Sequence, residues 1–228
     1  MIFAAVLVAT TVLCVAARTF ILRHTGWFYG IVAAVGALLG CVLVFGEPAW
    51  LWKASFALIQ KCLLPLALFT VVMGIGCLPR SSRMSLWLRP VRAQLSVAAC
   101  ILALGHIAAY AGSYLPRILG PGVKGNVALS FLVAAALSAL LLILGATSLE
   151  FVKRRMRAES WVKLQRWAYV FFGLVYVHLL CMLLPSALGG GTAAQASVAV
   201  YTAVFAAYAV FRVSRAVFDK KPAFRAAH

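Results

Sequence analysis

The sequence predicts an all-α, polytopic membrane bundle of about seven transmembrane helices, with the N-terminus outside and the C-terminus in the cytoplasm. Three observations carry that prediction. The first is composition: 65% of the 228 residues are apolar, 11% are charged and mean hydropathy is +1.02. Apolar runs of about 18 residues or more recur, the length a helix needs to cross a hydrocarbon core. The second is where the Lys and Arg residues fall. Of the 21, seventeen lie on one side of the proposed layout, and Arg117 and Lys124 lie on the other. The remaining two, Lys53 and Lys61, fall within the third span. Such an asymmetry orients short loops toward the cytoplasm. The third is that all six tryptophans, Trp27, Trp50, Trp52, Trp87, Trp161 and Trp167, fall near span ends, where an aromatic belt is expected.

The same observations exclude other classes. A net charge of +17 on a soluble domain would point to nucleic acid, but here the basic residues sit in short loops between spans, so no nucleic-acid partner is expected. The six cysteines, Cys14, Cys41, Cys62, Cys77, Cys100 and Cys181, all lie inside apolar runs without a CxxC or CxxCH pattern. That excludes a disulfide framework, a zinc site and covalent haem attachment, and leaves them as small packing residues.

In chain order, the first span covers Ile2 to Ala17, without the basic leader of a signal peptide, and is followed by Arg18, Arg23 and His24. The second runs from Gly26 to Phe45, and a short turn with Glu47 and Pro48 follows. The third covers Leu51 to Cys77, with Pro65 expected to bend it. A basic, proline-bounded loop, PRSSRMSLWLRPVR, leads to the fourth span, Gln94 to Leu115. The fifth runs from Val127 to Thr147, and the longest basic loop, EFVKRRMRAESWVKLQR, precedes the sixth, Trp161 to Pro185. A flexible SALGGGTAAQ connection is expected before the seventh, Ala196 to Phe211. The organisation is then residues 1–49 as two N-terminal spans, 50–218 as the main transmembrane domain and 219–228 as a basic cytoplasmic tail.

Two histidines lie deep inside spans, His106 in the fourth and His178 in the sixth, whereas His24 sits in a basic loop and His228 at the C-terminus. An intramembrane ionisable side chain is costly and marks a functional site by default. Spans four and six run in the same direction, with His106 14 residues past Arg92 and His178 12 past Arg166. At about 1.5 Å per residue the two stand ~21 and ~18 Å from their cytoplasmic anchors. Matching height on parallel helices suits bis-imidazole ligation of a haem. Ala99, Ala103, Gly105 and Ala109 would let a flat macrocycle approach the helix that carries His106. A structural hydrogen bond, a lone metal ion or a proton path are the other readings. Glu47, Glu150, Glu159 and Asp219 all fall in loops or the tail, which weakens transport.

Further residues carry a family resemblance. The Arg-rich entry to span four is followed by Gly105, His106 and Tyr110; Thr147 and Ser148 close span five; Trp161, Leu164, Arg166, Tyr169 and His178 follow. Together these resemble, from about Trp50 to Phe218, the ferric-reductase-like transmembrane domain. Most similar is its small bacterial branch, which contains the haem-bearing membrane subunit of the periplasmic methionine sulfoxide reductase system. The resemblance implies one b-type haem near the outer face, held by His106 and His178 as metal ligands. Family members also carry a histidine thirteen residues before the later one, where this chain has Gln165, and two-haem relatives have a ligand where Arg92 or Ala93 stands. Both ligands of an inner haem are thus replaced, and the vacated position near Arg92, Gln165 and Tyr169 is a place for quinone or FMN. Lys53, Lys61, Tyr110 and Arg117 are the remaining candidate cofactor contacts, with Tyr114 beside Arg117 as an alternative propionate partner.

The chain leaves no room after its last span for flavin and NADPH domains. The resemblance therefore implies electrons arriving from the membrane quinone pool or a separate cytoplasmic flavoprotein. They would leave to an extracytoplasmic reductase subunit. A non-haem scaffold or transporter with structural histidines is the contrasting reading.

Overall fold

A computed structural model describes residues 2–46, 48–79, 81–119 and 125–218, with the side chains of 112–119 and 126 outside that description. All regular structure among the described residues is helical. The helices are α1 (Ile2–Ala16), α2 (Arg18–Arg23), α3 (Thr25–Phe45), α4 (Ala49–Ser55), α5 (Leu63–Ile75), α6 (Arg83–Leu88), α7 (Arg92–Leu119), α8 (Asn126–Ser148), α9 (Glu150–Lys153), α10 (Ala158–Gln165), α11 (Trp167–Leu188) and α12 (Thr192–Phe218).

Five stretches are long and apolar enough to cross a membrane: Thr25–Phe45, Arg83–Ala111, Val127–Ser148, Ala158–Leu188 and Thr192–Phe218. The bent pair of Ala49–Gln60 and Leu63–Ile75 makes six if it is one span. With 15 residues, α1 reaches only ~22 Å, short of a hydrocarbon core of about 30 Å. Hydrogen bonds through Ala17 carry it on into α2, which brings in Arg18 and Arg23. Large apolar side chains cover the outside, among them Leu13, Val44, Phe45, Leu132 and Val210. Exposure on that scale requires lipid rather than water as solvent.

The third span bends 43°, and its break differs from the expected one. After α4 the chain makes a π-helical stretch, Phe56–Gln60, and Cys62 then takes φ +57°, the one positive φ at a non-glycine among the described residues. The bend therefore falls at Lys61–Cys62. Pro65 is the third residue of the new helix, where a missing N–H costs nothing. Its effect is felt one turn earlier, because the Lys61 carbonyl has no i+4 donor to meet.

Two segments expected as loops are folded. Within PRSSRMSLWLRPVR, the Ser82 hydroxyl accepts from the Ser85 N–H at 3.1 Å and caps α6, whose Ser85 and Leu88 are buried. Within EFVKRRMRAESWVKLQR lie α9 and α10. The expected flexible connection before the last span is also absent, since α11 runs to Leu188 and α12 begins at Thr192. Gly189–Gly191 alone make the turn. Gly190 has φ +87°, and a Cβ on Gly191 would stand 2.8 Å from the Ser186 carbonyl oxygen, so only glycine closes it.

Three apolar clusters hold the bundle. The first joins α1, α2, α3, α5 and α7 through Cys14, Ile21, Leu39, Val72, Leu95 and Leu102. The second joins α1, α5, α11 and α12 through Phe3, Leu66, Phe172, Tyr201 and Phe205. The third places Ala103 of α7 and Phe171 of α11 on Leu141 and Leu144 of α8. The two histidine-bearing helices are thereby assembled on a shared neighbour.

Candidate functional site

His106 rises from α7 toward the broken third span. Its Nδ1 lies 2.7 Å from the Gln60 carbonyl oxygen. A carbonyl can only accept, so Nδ1 carries the hydrogen, and in the neutral ring the lone pair falls on Nε2. Tyr110, one turn along, packs edge-on against the imidazole with ring centroids 5.0 Å apart. Gly105 permits the close approach, since a Cβ there would meet Ile59 Cγ2 at 3.3 Å. The Gly-His-Tyr pattern thus has a local meaning: the glycine admits the neighbouring segment, and the tyrosine steadies the ring.

His178 projects from α11. It lies against the Ser130 backbone of α8 and within electrostatic reach of His106. Its Nδ1 is buried without a hydrogen-bond partner. Just toward the basic end, the apolar layer includes Ala103, Val175, Leu141 and Phe171. The structure therefore brings together the two intramembrane histidines on separate helices. His106 keeps Nε2 outside its bond to Gln60, and His178 keeps Nδ1 without a partner. Among the described residues no group of three or more His, Cys, Asp or Glu side chains gathers to hold a bare metal ion.

The other candidates divide. Lys61, exposed at the helix break, sets its Nζ 5.0 Å from the Phe56 ring centroid. Lys53 is exposed on α4 and makes no hydrogen bond or ion pair among the described residues. Arg117 lies on α7, but its side chain, like that of Tyr114, is outside the described residues. The small residues beside His106 serve a different purpose from the one expected. Ala99 packs in the cluster with Leu39 and Ile59, Ala103 packs on Leu144 and Phe171, and Gly105 faces Ile59. Protein helices, not an open face, take up that space.

The inner position expected near Arg92, Gln165 and Tyr169 is split in two. Gln165 donates from Nε2 to the Thr147 hydroxyl at 3.1 Å, while the Trp161 indole donates to the Thr147 carbonyl at 2.9 Å. Gln165 lines a central cavity of about 50 Å³ with Ser96, Cys100, Ser148 and Phe171, room for roughly two waters. Arg92 and Tyr169 belong to a cluster with Tyr208 and Arg212. There Arg212 donates to the Tyr169 hydroxyl at 2.7 Å and stands over its ring. A groove of about 320 Å³ opens beside it, lined by Tyr169, Tyr208, Arg212 and Val213. Beside Arg92, Arg215 donates to the carbonyls of Gly76 and Leu78 and ties α12 to the end of α5.

Sequence reasoning did not find Gln60 or Ser130, nor what Thr147 does. Gln60 and Ser130 act through backbone groups common to every residue type, so no side-chain pattern announces them. Thr147 was noticed within a motif, and its partners supply the reason.

A multi-pass helical membrane protein with one half-buried histidine on each of two helices that share a neighbour is the class this arrangement defines. The chain belongs to the family described as ferric reductase like transmembrane component, whose model matches residues 56–177. The match contains His106 and ends one residue before His178. An uncharacterized protein of Treponema pallidum (strain Nichols) is 37% identical over 228 residues, covering 95% of this chain and 61% of that protein. The chain thus spans about three-fifths of that relative's length. No solved structure matches.

Proposed function

We infer that the protein is a seven-span b-type cytochrome of the cytoplasmic (inner) membrane, N-terminus outside. It passes single electrons from quinol, or from a separate cytoplasmic flavoprotein, through one haem to an extracytoplasmic reductase. The likeness to the haem-bearing subunit of periplasmic methionine sulfoxide reductase systems, and the boundary of the main domain at residue 50, belong to the same proposal.

One observation carries the reading: His106 and His178 stand half-buried on α7 and α11, two helices packed on the same face of α8, with the rings within electrostatic reach. The donor set fits a haem. His106 offers Nε2, its tautomer set by the Gln60 carbonyl, as ligating histidines usually are. His178 has a buried nitrogen that nothing satisfies, a cost that a ligand removes. Haem b, when bound, supplies an iron that takes up and releases one electron without a proton. The chain's own part is to hold both rings, exclude water with the layer of Ala103, Val175 and Phe171, and set the ligand hydrogen bonds. Tyr110 backs the His106 ring. Lys53, Lys61 and Arg117 stand as candidate propionate partners.

For the quinone or FMN expected near Arg92, Gln165 and Tyr169, the wider groove beside Tyr169, Tyr208 and Arg212 supports that part of the position over the small cavity at Gln165. The contrasting reading, a scaffold or transporter with structural histidines, draws on the His106 to Gln60 hydrogen bond. It leaves the orphaned His178 Nδ1 without an explanation. Purified membranes decide between them. A reduced-minus-oxidised spectrum of b type, lost in His106→Ala and in His178→Ala, is expected; a flat spectrum from well-expressed wild-type protein rules the cytochrome out.

A further inference from the structure

The geometry points to the break in the third span as a device that positions His106, with Pro65 and Gly105 as the positioning residues. It acts by delivering the Gln60 carbonyl to Nδ1, so that the proton stays on Nδ1 and Nε2 stays bare.

In an uninterrupted helix the Gln60 carbonyl would accept from the Leu64 N–H. Here the ladder is diverted. The Lys61 N–H turns back to the Phe56 carbonyl at 2.8 Å, the Cys62 N–H goes to Ile59 at 2.9 Å, and the α ladder restarts with Leu66 N–H to Cys62 at 3.0 Å. Pro65 has no N–H for the Lys61 carbonyl, and Cys62 pays with a left-handed φ of +57°. Strain of that kind persists only where surroundings hold it, and π-type irregularities gather at functional sites. The released Gln60 carbonyl meets His106 at 2.7 Å. Gly105 is the second half of the device: a Cβ there would come within 3.3 Å of Ile59 Cγ2, tighter than ordinary contact, so its absence lets α7 lie against the break without displacing Ile59. The side chain at position 60 is immaterial, since the contact is made by main chain.

The inference deepens the haem reading and rests on it for its purpose, yet its first test needs no haem. Full-length protein carrying His178→Ala, labelled with ¹⁵N-histidine, is prepared haem-free in detergent, and its histidine tautomers are read by NMR. His106 is expected as a single Nδ1-protonated species. Pro65→Ala, which returns an N–H to the ladder, and Gly105→Ala, which pushes α7 away, are each expected to give a mixture of tautomers. Cys62→Gly, which suits positive φ, keeps the single species. In the haem-loaded protein with His178 intact, the same two variants shift the midpoint potential upward, because the ligand loses the electron donation that an Nδ1–H···O=C bond supports; Cys62→Gly leaves it in place.

An Nε2-protonated His106 in the parent protein, or an unchanged single species in both Pro65→Ala and Gly105→Ala, overturns the positioning role. That result leaves the cytochrome reading intact if the b-type spectrum is present. A protein with the Nδ1 tautomer and no spectrum does the reverse, retaining the device and removing the haem. If Pro65→Ala fails to fold, Gly105→Ala alone carries the comparison.

Discussion

Gln165 shows how much a single side chain decides. It stands where the family resemblance led to the expectation of a histidine, and it is committed to the Thr147 hydroxyl at 3.1 Å beside a cavity of about 50 Å³. We expect Gln165→His to leave the haem content at one per chain, because the space rather than the missing nitrogen is limiting; a doubling of haem per protein would contradict this. Trp161 is bound to the same threonine. Trp161→Phe strands the Thr147 carbonyl and is expected to cost about 1 kcal/mol, seen as a lower unfolding temperature in detergent with the haem spectrum unchanged. At this scale His106 and His178 were legible because a bilayer leaves few reasons for an imidazole. Their partners were not. The Gln60 carbonyl and the Ser130 backbone are present in any sequence, and only the fold brings them to the rings.

The helices carry a second kind of information, in how closely they approach. A Cβ on Gly145 of α8 would lie 2.5 Å from the Cys100 sulfur of α7, and that thiol donates to the Leu141 carbonyl. Gly145→Ala therefore forces the pair apart and is expected to cost roughly 1–3 kcal/mol. Adding Cys100→Ala should restore most of the loss, as a double-mutant cycle on thermal unfolding would register. Span positions were legible from apolar runs: Thr25–Phe45 and Asn126–Ser148 fall within a residue or two of where hydropathy puts them. Breaks within spans were not. Pro65 drew the bend to itself, whereas its missing N–H acts on Lys61, four residues back. Basic runs were read as loops because charge outweighs periodicity in a short window, and α6 and α10 emerged from them once their apolar faces found a bundle to lie on.

Over the whole molecule, the two N-terminal spans are part of one packed body even though the family match begins at residue 56. Phe3 of α1 packs with its ring centroid 4.9 Å from that of Tyr201 on α12, and α3 packs on α7. Phe3→Ala is expected to lower stability by about 3 kcal/mol; no change in the unfolding temperature would mean that α1 is only loosely attached. Orientation is checked separately. A reporter active only outside the cell should work when inserted at Gly190 and fail when inserted between Arg154 and Ala158. The uneven distribution of Lys and Arg is what predicts that orientation, and it says nothing of the order in which helices touch, which depends on side-chain shape. The glycine turn has a bearing on any redox partner. With three residues linking α11 to α12, that corner of the bundle offers neither stalk nor grip, so in the proposed orientation an acceptor docking there would have to settle flush against the lipid headgroups and supply the reach itself.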